Sequence, residues 1–591
     1  MKKLIFIITI LTLPLHILKA QTQIDNSYFT PPQPIYNWDI AGSPYEIIEN
    51  IEIPKGSNLI IKPGVEVLFQ GQYKMDVKGS INAIGTVDDM IIITSIAVPW
   101  KGIRFDFTDA ISPAPSKFHY CKISKAGKIG TICSSPDHGS SGGAIYVEGF
   151  SHLEICYCEL FDNSVLSHGG AIGLFSGSSP LISHCNIHDN YALKRGGGIC
   201  MMVGCNPEIT HNTFTENVSE DKGGGAIAMG NFATGTHCYP IINSNYFSNN
   251  STGGNGGGVF ICNSSPTDFE NNTFENNTAD NQGGGIYIRT NSTLDIVNNV
   301  FSENQSYSDG GGVYNISGLD VTIGGCQFEE NNAVNGGGIY LASESYIENC
   351  VFNSNIASSN GGGIYITYSE SEIIYCSFEE NTATANGGGI YMDDPVGSSI
   401  NLSSFESNTA SQGGALYYFR NNNYQNFTEV LNNLFVENHA TDKGVVYMQG
   451  DNTNTIFNHN TISNNTAAYW ISGVCVEDDN YFPYEFKNNI IYEAIVDILI
   501  ISGQYAFQRP SNYLTLASIN YLNLDNTNNP NPVPGFVSSS DYHLSSTSIL
   551  CIDAGDNSAT KTSTDLDGNN RIIDGNINGY YTDYGCYEYN P

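Results

Sequence analysis

Residues 376–392 read Cys376-Ser377-Phe378-Glu379-Glu380-Asn381-Thr382-Ala383-Thr384-Ala385-Asn386-Gly387-Gly388-Gly389-Ile390-Tyr391-Met392, and this stretch decides the fold. It holds two motifs that recur along the chain. The first is a pair of glycines followed by glycine or alanine and then an aliphatic residue. It returns every 25 to 32 residues, which indicates stacked structural units. It begins at Gly142, Gly169, Gly196, Gly224, Gly256, Gly283, Gly310, Gly336, Gly361, Gly387 and Gly413, and a decayed copy lies at 443–446.

The second motif places an apolar residue three positions before an asparagine and keeps step with the first. The apolar residue is Phe in nine of the twelve copies, from Phe214 to Phe435, and the residue two places before it is Asn, Cys or Ser. The asparagine is Asn163, Asn190, Asn217, Asn250, Asn277, Asn304, Asn331, Asn355, Asn381, Asn408, Asn438 and Asn465.

These motifs predict β-strands, because the apolar residues lie two apart and the glycine triplets would break a helix. Three short strands and three turns per repeat make one coil of a parallel β-helix. We therefore predict an all-β, right-handed parallel β-helix of 12 to 15 coils, with Phe and Ile stacked inside. Equivalent residues of successive coils lie ~4.8 Å apart, so the motif Asn is expected to link neighbouring coils through its side-chain amide. It is also expected to adopt the left-handed backbone of a sharp bend, and the glycines to serve a bend or a close backbone approach.

The charge of the chain excludes several classes of partner. With 23 Lys and Arg against 59 Asp and Glu in 591 residues, the net charge is −36. This charge repels phosphate backbones and anionic lipid, so nucleic acid and membrane surfaces are not expected partners. Residues 1–20 combine a basic start, an apolar run and a small final residue, which predicts a secretory signal peptide, and no transmembrane span is expected elsewhere.

The paired motifs resemble the repeats of the chlamydial polymorphic membrane proteins, which are autotransporter adhesins with a right-handed β-helix passenger. The resemblance covers residues 142 to 467. It implies an adhesin-like protein, secreted, extracellular or on the outer cell surface, that contacts a polysaccharide or a surface protein through the flank of the helix. The oligomeric state stays open.

The two ends resemble secreted bacterial β-helix proteins with a choice-of-anchor C-terminal module. Segments 59–65 and 79–86 are similar to the entry coils of those proteins, and segments 541–544, 565–571 and 583–588 match successive motifs of the module. The predicted organisation is a signal peptide at 1–20, an N-terminal cap with entry coils at 21–120, the repeat β-helix at 121–500 and the choice-of-anchor-like module at 501–591.

A column of tyrosines is the candidate binding site. The residue after the aliphatic member of the glycine motif is expected to point outward, since strand neighbours alternate faces. Stacked outward rings would offer flat faces to a sugar or a protein, although strand preference and ring stacking produce the same pattern without a ligand. The predicted binding residues are Tyr287, Tyr314, Tyr340, Tyr365, Tyr391 and Tyr417, and the longer interval between Gly224 and Gly256 is the alternative face.

The competing hypothesis is a polysaccharide lyase or a glycoside hydrolase of pectin-lyase-like fold. A lyase needs acidic Ca²⁺ ligands and a basic side chain, and a hydrolase needs clustered carboxylates. No basic residue lies between 290 and 419, and Arg289 is the least poor lyase candidate. The pairs Asp393-Asp394 and Asp478-Asp479, like His168, lack the flanking residues of the hydrolases. We therefore predict no catalytic residue and favour a binding protein over an enzyme.

Two further patterns concern metals and cysteines. Asp565, Asp567 and Asn569 have the alternate spacing of a Ca²⁺ loop, but no distal acidic residue completes it. A structural turn is the preferred interpretation, Ca²⁺ is the alternative, and no cofactor is predicted. Five of the 15 cysteines occupy the position two before the apolar residue of the second motif, where we predict buried internal thiols rather than disulfides. They are Cys158, Cys185, Cys326, Cys350 and Cys376.

Overall fold

The computed structural model describes residues 21–106, 115–127, 141–230, 236–421, 427–450 and 455–468, and shorter pieces beyond them up to residue 589. Within these residues the chain forms an all-β solenoid of about sixteen turns, and successive turns pair through parallel ladders. The predicted all-β parallel β-helix is confirmed. The turns slightly outnumber the predicted 12 to 15 coils, because the ladders already begin where Thr22 pairs with Tyr45.

Each repeat contributes four strands. A representative repeat runs through Ile286–Arg289, Leu294–Val297, Val300–Ser302 and Gln305–Ser306, whose ladders we number sheets 1 to 4 in that order. The sequence predicted three strands per coil. The fourth strand follows the motif Asn, and its inward residue is small, as with buried Ser306, because this corner leaves room only for a short side chain.

The sheets extend along nearly the whole described chain. Their first and last strands are Ile51–Ile53 and Ile498–Ile501 in sheet 1, Ile35–Trp38 and Glu485–Lys487 in sheet 2, Thr22–Ile24 and Tyr513–Leu514 in sheet 3, and Ser164–Val165 and Thr466–Ala467 in sheet 4. In the part of the chain that the structure describes, the one helical segment is the 3₁₀ turn Asn26–Phe29, and no helix is long and apolar enough to cross a membrane. The predicted signal peptide lies outside the described residues.

Aromatic rings stack through the interior of sheet 3, as predicted. Nine phenylalanines from Phe214 to Phe435 lie one per turn with their ring centroids 4.7 to 5.0 Å apart and nearly parallel planes. All nine are fully buried. Each ring therefore contacts one ring above and one below, so the stack specifies the register of every turn against its neighbours.

The motif asparagines form a second interior column, which we call the Asn ladder. Asn331 Nδ2 donates to Phe301 O at 2.8 Å and to Asn355 Oδ1 at 3.0 Å, and Asn331 Oδ1 accepts from the backbone nitrogen and Nδ2 of Asn304. The predicted link between coils is confirmed. The predicted left-handed backbone belongs to the preceding residue instead, since Glu330 has a φ of 54°. The sharp turn at that residue directs the following Asn inward, so its amide reaches the next turn.

The glycine motif serves both of the predicted purposes at different positions. Gly283 has a φ of 71°, in the left-handed region. Gly284 packs against the next turn so closely that a Cβ there would lie 2.4 Å from Gly311 O. The first glycine therefore permits the bend, and the second permits the close approach of two backbones.

The five cysteines of the second motif are buried thiols, as predicted. Cys185 Sγ donates to Ile155 O at 3.3 Å, in the preceding turn. Asn212 holds the same position one turn later and donates its Nδ2 to Ile182 O at 2.9 Å. The thiol thus replaces the amide as a donor to the backbone of the preceding turn.

Parts of residues 535–589 pack on the side of the last turns. Asn464 Nδ2 donates to the Tyr542 hydroxyl at 2.8 Å, and the backbone nitrogen of Cys586 donates to Thr461 Oγ1 at 3.1 Å. A buried ion pair joins Arg571 to Glu588 at 2.7 Å. The contacts with Thr461 and Asn464 fix the C-terminal segment against the outer side of sheet 3.

Candidate binding groove and tyrosine ladder

The six predicted tyrosines form one continuous stack on the outer side of sheet 1. Their ring centroids lie 4.7 to 5.4 Å apart, with planes within 17° of parallel. The ring faces are therefore covered by neighbouring rings, because a spacing of one turn leaves no room for a ligand between them. The expected open aromatic faces are absent from this stack, and the tyrosines present only their edges.

The six tyrosines, which we call the tyrosine ladder, differ in how deeply they are buried. Tyr287, Tyr314 and Tyr417 are less than 10% exposed, whereas Tyr340, Tyr365 and Tyr391 are half-buried. Burial raises the pKa of Tyr340 to about 12. Ligand binding by these six tyrosines stays a prediction. Within the ladder, a partner can reach the three half-buried rings.

The residues of the enzyme hypothesis lie in different surroundings. Arg289 is half-buried in sheet 1, where its neighbours along the ladder are Cys262 and Ile316. Asp393 Oδ2 accepts a 3.1 Å hydrogen bond from the Tyr365 hydroxyl, and burial raises the pKa of Asp393. Asp394 is buried and accepts from the backbone nitrogen of Asn421 at 2.5 Å.

The two remaining candidates of the enzyme hypothesis are His168 and the second aspartate pair. His168 lies at the corner before Gly169, where its backbone forms an isolated parallel β-bridge with Arg195 in the next turn. The pair Asp478-Asp479 lies outside the described residues. Among the described groups, His168 precedes the Gly169 motif and Asp393 follows the Gly387 motif, each four repeats from the Gly283 motif that carries Arg289.

The candidate Ca²⁺ loop is held as a turn by its own side chains. Asp565 is fully buried and accepts from the backbone nitrogens of Asn569 at 2.7 Å and Glu588 at 2.9 Å. Asp567 instead contacts His543 Nε2 at 2.5 Å. Across the described residues, no group of three His, Cys, Asp or Glu side chains is arranged to hold a metal ion. Ca²⁺ binding stays an untested alternative.

A groove of about 560 Å³ runs along the N-terminal half of the solenoid, beside sheet 2. It crosses the starts of consecutive strands, among them Leu153–Cys156, Leu181–Ser183, Glu208–Thr210 and Ile241–Asn243. Its lining mixes apolar, hydroxyl, amide and carboxylate groups: Pro115, Ser151, His152, Leu153, Glu154, Ser179, Pro180, Leu181, Asn206, Pro207, Glu208, Tyr239, Ile241 and Thr267.

Three X-Pro pairs in successive turns build the wall of the groove. Ser179, Asn206 and Tyr239 each precede a buried proline, and proline holds the residue before it in an extended conformation. Hydrogen bonds join the row from turn to turn. The backbone nitrogen of Asn206 donates to Ser179 Oγ at 3.3 Å, and that of Tyr239 donates to Asn206 Oδ1 at 2.8 Å. Tyr239 is 47% exposed, more than any ring of the tyrosine ladder, and the His237 ring lies nearly parallel to it at 6.1 Å.

The groove carries two carboxylates two turns apart. Glu154 pairs with Leu181, which pairs with Glu208, so both glutamates occupy the same outward position of sheet 2. Lys117 Nζ lies 2.8 Å from Glu154 Oε2, and this hydrogen bond lowers the pKa of Glu154. Among the described residues that line the groove, none is Lys or Arg. The groove therefore favours a neutral ligand over an anionic one.

Sequence reasoning missed most of the groove. The alternative face predicted between Gly224 and Gly256 does include Tyr239 and Ile241. The signal that would have extended it is the recurrence of proline at equivalent positions 180, 207 and 240. These prolines lie outside both repeat motifs, so the motifs give them no role.

A family model described as a right handed beta helix region matches residues 102–307, 228–352 and 311–504. The matches overlap and together extend from 102 to 504, which includes the groove and the tyrosine ladder. No curated protein matches the chain in sequence.

Proposed function

This chain belongs to the right-handed β-helix family, and we propose that it is an exported, adhesin-like binding rod that holds a neutral glycan in the groove. The observation that carries the proposal is the exposed Tyr239 ring, which stands beside polar groups that repeat from turn to turn. An aromatic face next to hydroxyl, amide and carboxylate groups suits a sugar ring, because one side of the sugar is apolar and its rim donates and accepts hydrogen bonds.

The direction of the groove supports an extended ligand. His152, Ser179, Asn206 and Tyr239 occupy equivalent positions in four successive turns, so they lie ~4.8 Å apart along the rod. A polymer that lies parallel to the axis meets a new polar side chain at each step. The resemblance to adhesins and to proteins with a choice-of-anchor module supports a place at the cell surface.

The negative charge of the protein restricts the class of glycan that the groove is expected to bind. Glu154 and Glu208 face the groove, and the whole chain carries a net charge of −36. A uronic-acid polymer would meet like charges at short range, whereas neutral polysaccharides would not. We therefore expect neutral glycans to be the ligands.

The test is affinity electrophoresis of the full chain through gels that contain neutral or uronic-acid polysaccharides, followed by a glycan array. Tyr239→Ala should weaken retention by a neutral polymer roughly tenfold, since loss of one stacking face removes about 1 kcal/mol or more. The matched control is Tyr346→Ala, an exposed tyrosine in the outward row of sheet 2 that also holds Glu208, several turns from the groove.

Unchanged retention of Tyr239→Ala would remove the groove from the proposal. Equal loss in Tyr346→Ala would show that the effect is not local to the groove. Retention by uronic-acid polymers alone would contradict the electrostatic argument.

A polysaccharide hydrolase is the second candidate, and the spacing of Glu154 and Glu208 is the observation that favours it. Two turns place the Cα atoms of these residues ~10 Å apart, near the roughly 6.5 to 9.5 Å that separates the carboxyl groups of inverting glycosidases. The lowered pKa of Glu154 keeps it ionised, which suits a base, and Glu208 would then be the acid. New reducing ends that disappear in Glu208→Gln would establish this activity over simple binding.

A further inference from the structure

Cys205 and Cys238 are two buried cysteines that stand one turn apart at the corner between sheets 1 and 2. Glu208 pairs with Ile241, three residues after each cysteine, and the residues after them are joined by the hydrogen bond from Tyr239 N to Asn206 Oδ1. Both side chains are 0% exposed. This stacking places their Cα atoms about one ladder spacing apart, ~4.8 Å, within the range of roughly 4.4 to 6.8 Å that a disulfide spans.

Serine occupies this corner position in several other turns. Ser178 Oγ donates to Phe175 O at 2.6 Å, and Ser292 Oγ donates to Arg289 O at 2.8 Å. Cys205 Sγ makes the equivalent contact with Met202 O at 3.1 Å. The corner therefore requires only a small donor, and the structural role leaves unexplained why two consecutive turns both carry cysteine.

The turn that carries Cys238 differs from the others in length. The interval from Gly224 to Gly256 is 32 residues, the longest between glycine motifs, and the extra residues precede Cys238. Tyr239, the exposed ring of the groove, follows immediately. A covalent link from Cys238 to the preceding turn, which carries Cys205, would fix the end of this insertion and the position of Tyr239.

We propose that Cys205 and Cys238 form a disulfide bond, which closes a loop of the chain and holds Cys238, and with it Tyr239, against the preceding turn. This inference goes beyond the proposed binding function and rests only on the proposed export, not on the glycan. The interior cysteines differ, because thiols such as Cys158 and Cys185 donate to carbonyl oxygens of the preceding turn. They are expected to stay reduced.

The bond forms by exchange with a disulfide donor, either a small-molecule disulfide or a disulfide oxidoreductase. The thiolate of Cys238 is the attacking group. Cys238 attacks the donor disulfide and releases one thiol, and Cys205 then attacks the mixed disulfide and releases the second. The donor gains two electrons, and the two cysteine protons leave with its thiols. Because both sulfur atoms end up buried, the exchange takes place before the turns close.

Peptide mapping of the full chain, exported through an oxidising compartment, tests the proposal. The protein is alkylated in denaturant before and after reduction, and its peptides are identified by mass spectrometry. We expect the Cys205 and Cys238 peptides to be linked before reduction and alkylated only after it. Recovery of both as alkylated thiols without reduction, or linkage of either to another cysteine, would overturn the proposal.

A double variant provides the second measurement. Cys205→Ser with Cys238→Ser introduces the residue that other turns carry, so it should fold. We expect its Tm to fall below that of the oxidised wild type and to be insensitive to reductant during refolding. The matched control is Cys326→Ser with Cys350→Ser, which should lower the count of free thiols by two and leave the linked peptide in place. Equal Tm for the Cys205/Cys238 variant and the oxidised wild type, with two fewer free thiols, would also overturn the proposal.

Discussion

The Asn ladder inside the solenoid and the tyrosine ladder outside it both place one residue per turn, yet they tolerate variation differently. The second motif keeps its asparagine in all twelve copies, from Asn163 to Asn465. The outer column is interrupted at Gly173, Cys200 and Ala228 without a break in sheet 1. The inner column must satisfy buried backbone groups at every turn, whereas the outer column only adds ring contacts.

The difference follows from what each residue leaves behind when it is lost. An asparagine of the inner ladder makes hydrogen bonds to groups in both neighbouring turns. Its removal leaves buried polar atoms without a hydrogen-bond partner, where water cannot reach them. An outer tyrosine leaves a gap that a smaller side chain or solvent can fill. Regularity in a solenoid therefore identifies structural residues, and irregularity identifies surfaces that are free to acquire a function.

Substitution within the Asn ladder should have the largest effect. Asn331→Ala removes the partners of Phe301 O, Asn304 N and Asn304 Nδ2. We expect the free energy of unfolding to fall by roughly 3 to 5 kcal/mol, because each buried unsatisfied group costs about 1 to 3 kcal/mol. Urea unfolding followed by circular dichroism measures the change.

The neighbouring asparagine is the control for this prediction. Asn332 is exposed, and Asn332→Ala should change the free energy of unfolding by less than about 0.5 kcal/mol. Similar losses in the two variants would contradict the distinction between inner and outer positions.

A single break in the tyrosine ladder should have a smaller effect. Tyr365 stacks on Tyr340 at 4.8 Å and on Tyr391 at 4.9 Å. Tyr365→Ser loses both contacts, and at about 0.5 to 1.5 kcal/mol per aromatic pair the free energy of unfolding should fall by roughly 1 to 3 kcal/mol. Thermal unfolding of the variant against wild type tests this value.

The binding role predicted for the tyrosine ladder needs a separate measurement. Replacement of Tyr340, Tyr365 and Tyr391 together by Ser removes the half-buried rings and leaves the inward Ile364 in place. If the groove is the binding site, glycan retention of this triple variant should equal that of wild type of matched folding. Lost retention would move the site to the tyrosine ladder.

The smallest effect concerns the dependence of stability on pH. Of the two ladders, only the outer one should respond, because Asp393, which accepts a hydrogen bond from Tyr365, is titratable. Burial raises the pKa of Asp393 above 3.8, so the folded state holds this proton more tightly than the unfolded chain. The associated stability is present below pH 3.8 and is lost as pH rises through the raised pKa. Asp393→Asn should therefore raise Tm slightly at pH 7, and the difference from wild type should vanish below pH 3.8. A difference that is independent of pH would refute this assignment.

The sequence predicted the interior of the protein better than its surface. Spacing alone indicated the Phe stack and the links of the Asn ladder, because a position repeated in every turn meets its own copies. The left-handed residue was assigned one position too late, since Glu330 and its equivalents share no side-chain type that would mark the bend. The tyrosines were expected to stack and still offer open faces, but one ring per turn of ~4.8 Å leaves no room between the rings, so the same spacing already implied that stacking covers them.

The groove was harder to predict for a related reason. Its wall depends on Pro180, Pro207 and Pro240, and on the exposed ring of Tyr239, which occur in only a few turns. A pattern shared by all turns is detectable by repetition, whereas a feature limited to four of them needs their relative positions in space.

The contact between the C-terminal segment and the last turns determines how far the groove lies from that segment. Because Cys586 and Tyr542 are held against Thr461 and Asn464, whatever is attached near this end is fixed relative to the solenoid. The groove lies in the N-terminal half, and each intervening turn adds ~4.8 Å. Gain or loss of whole repeats would change the distance between the C-terminal segment and the groove in fixed steps while every interior contact keeps its geometry, so the length of the solenoid can vary independently of the groove.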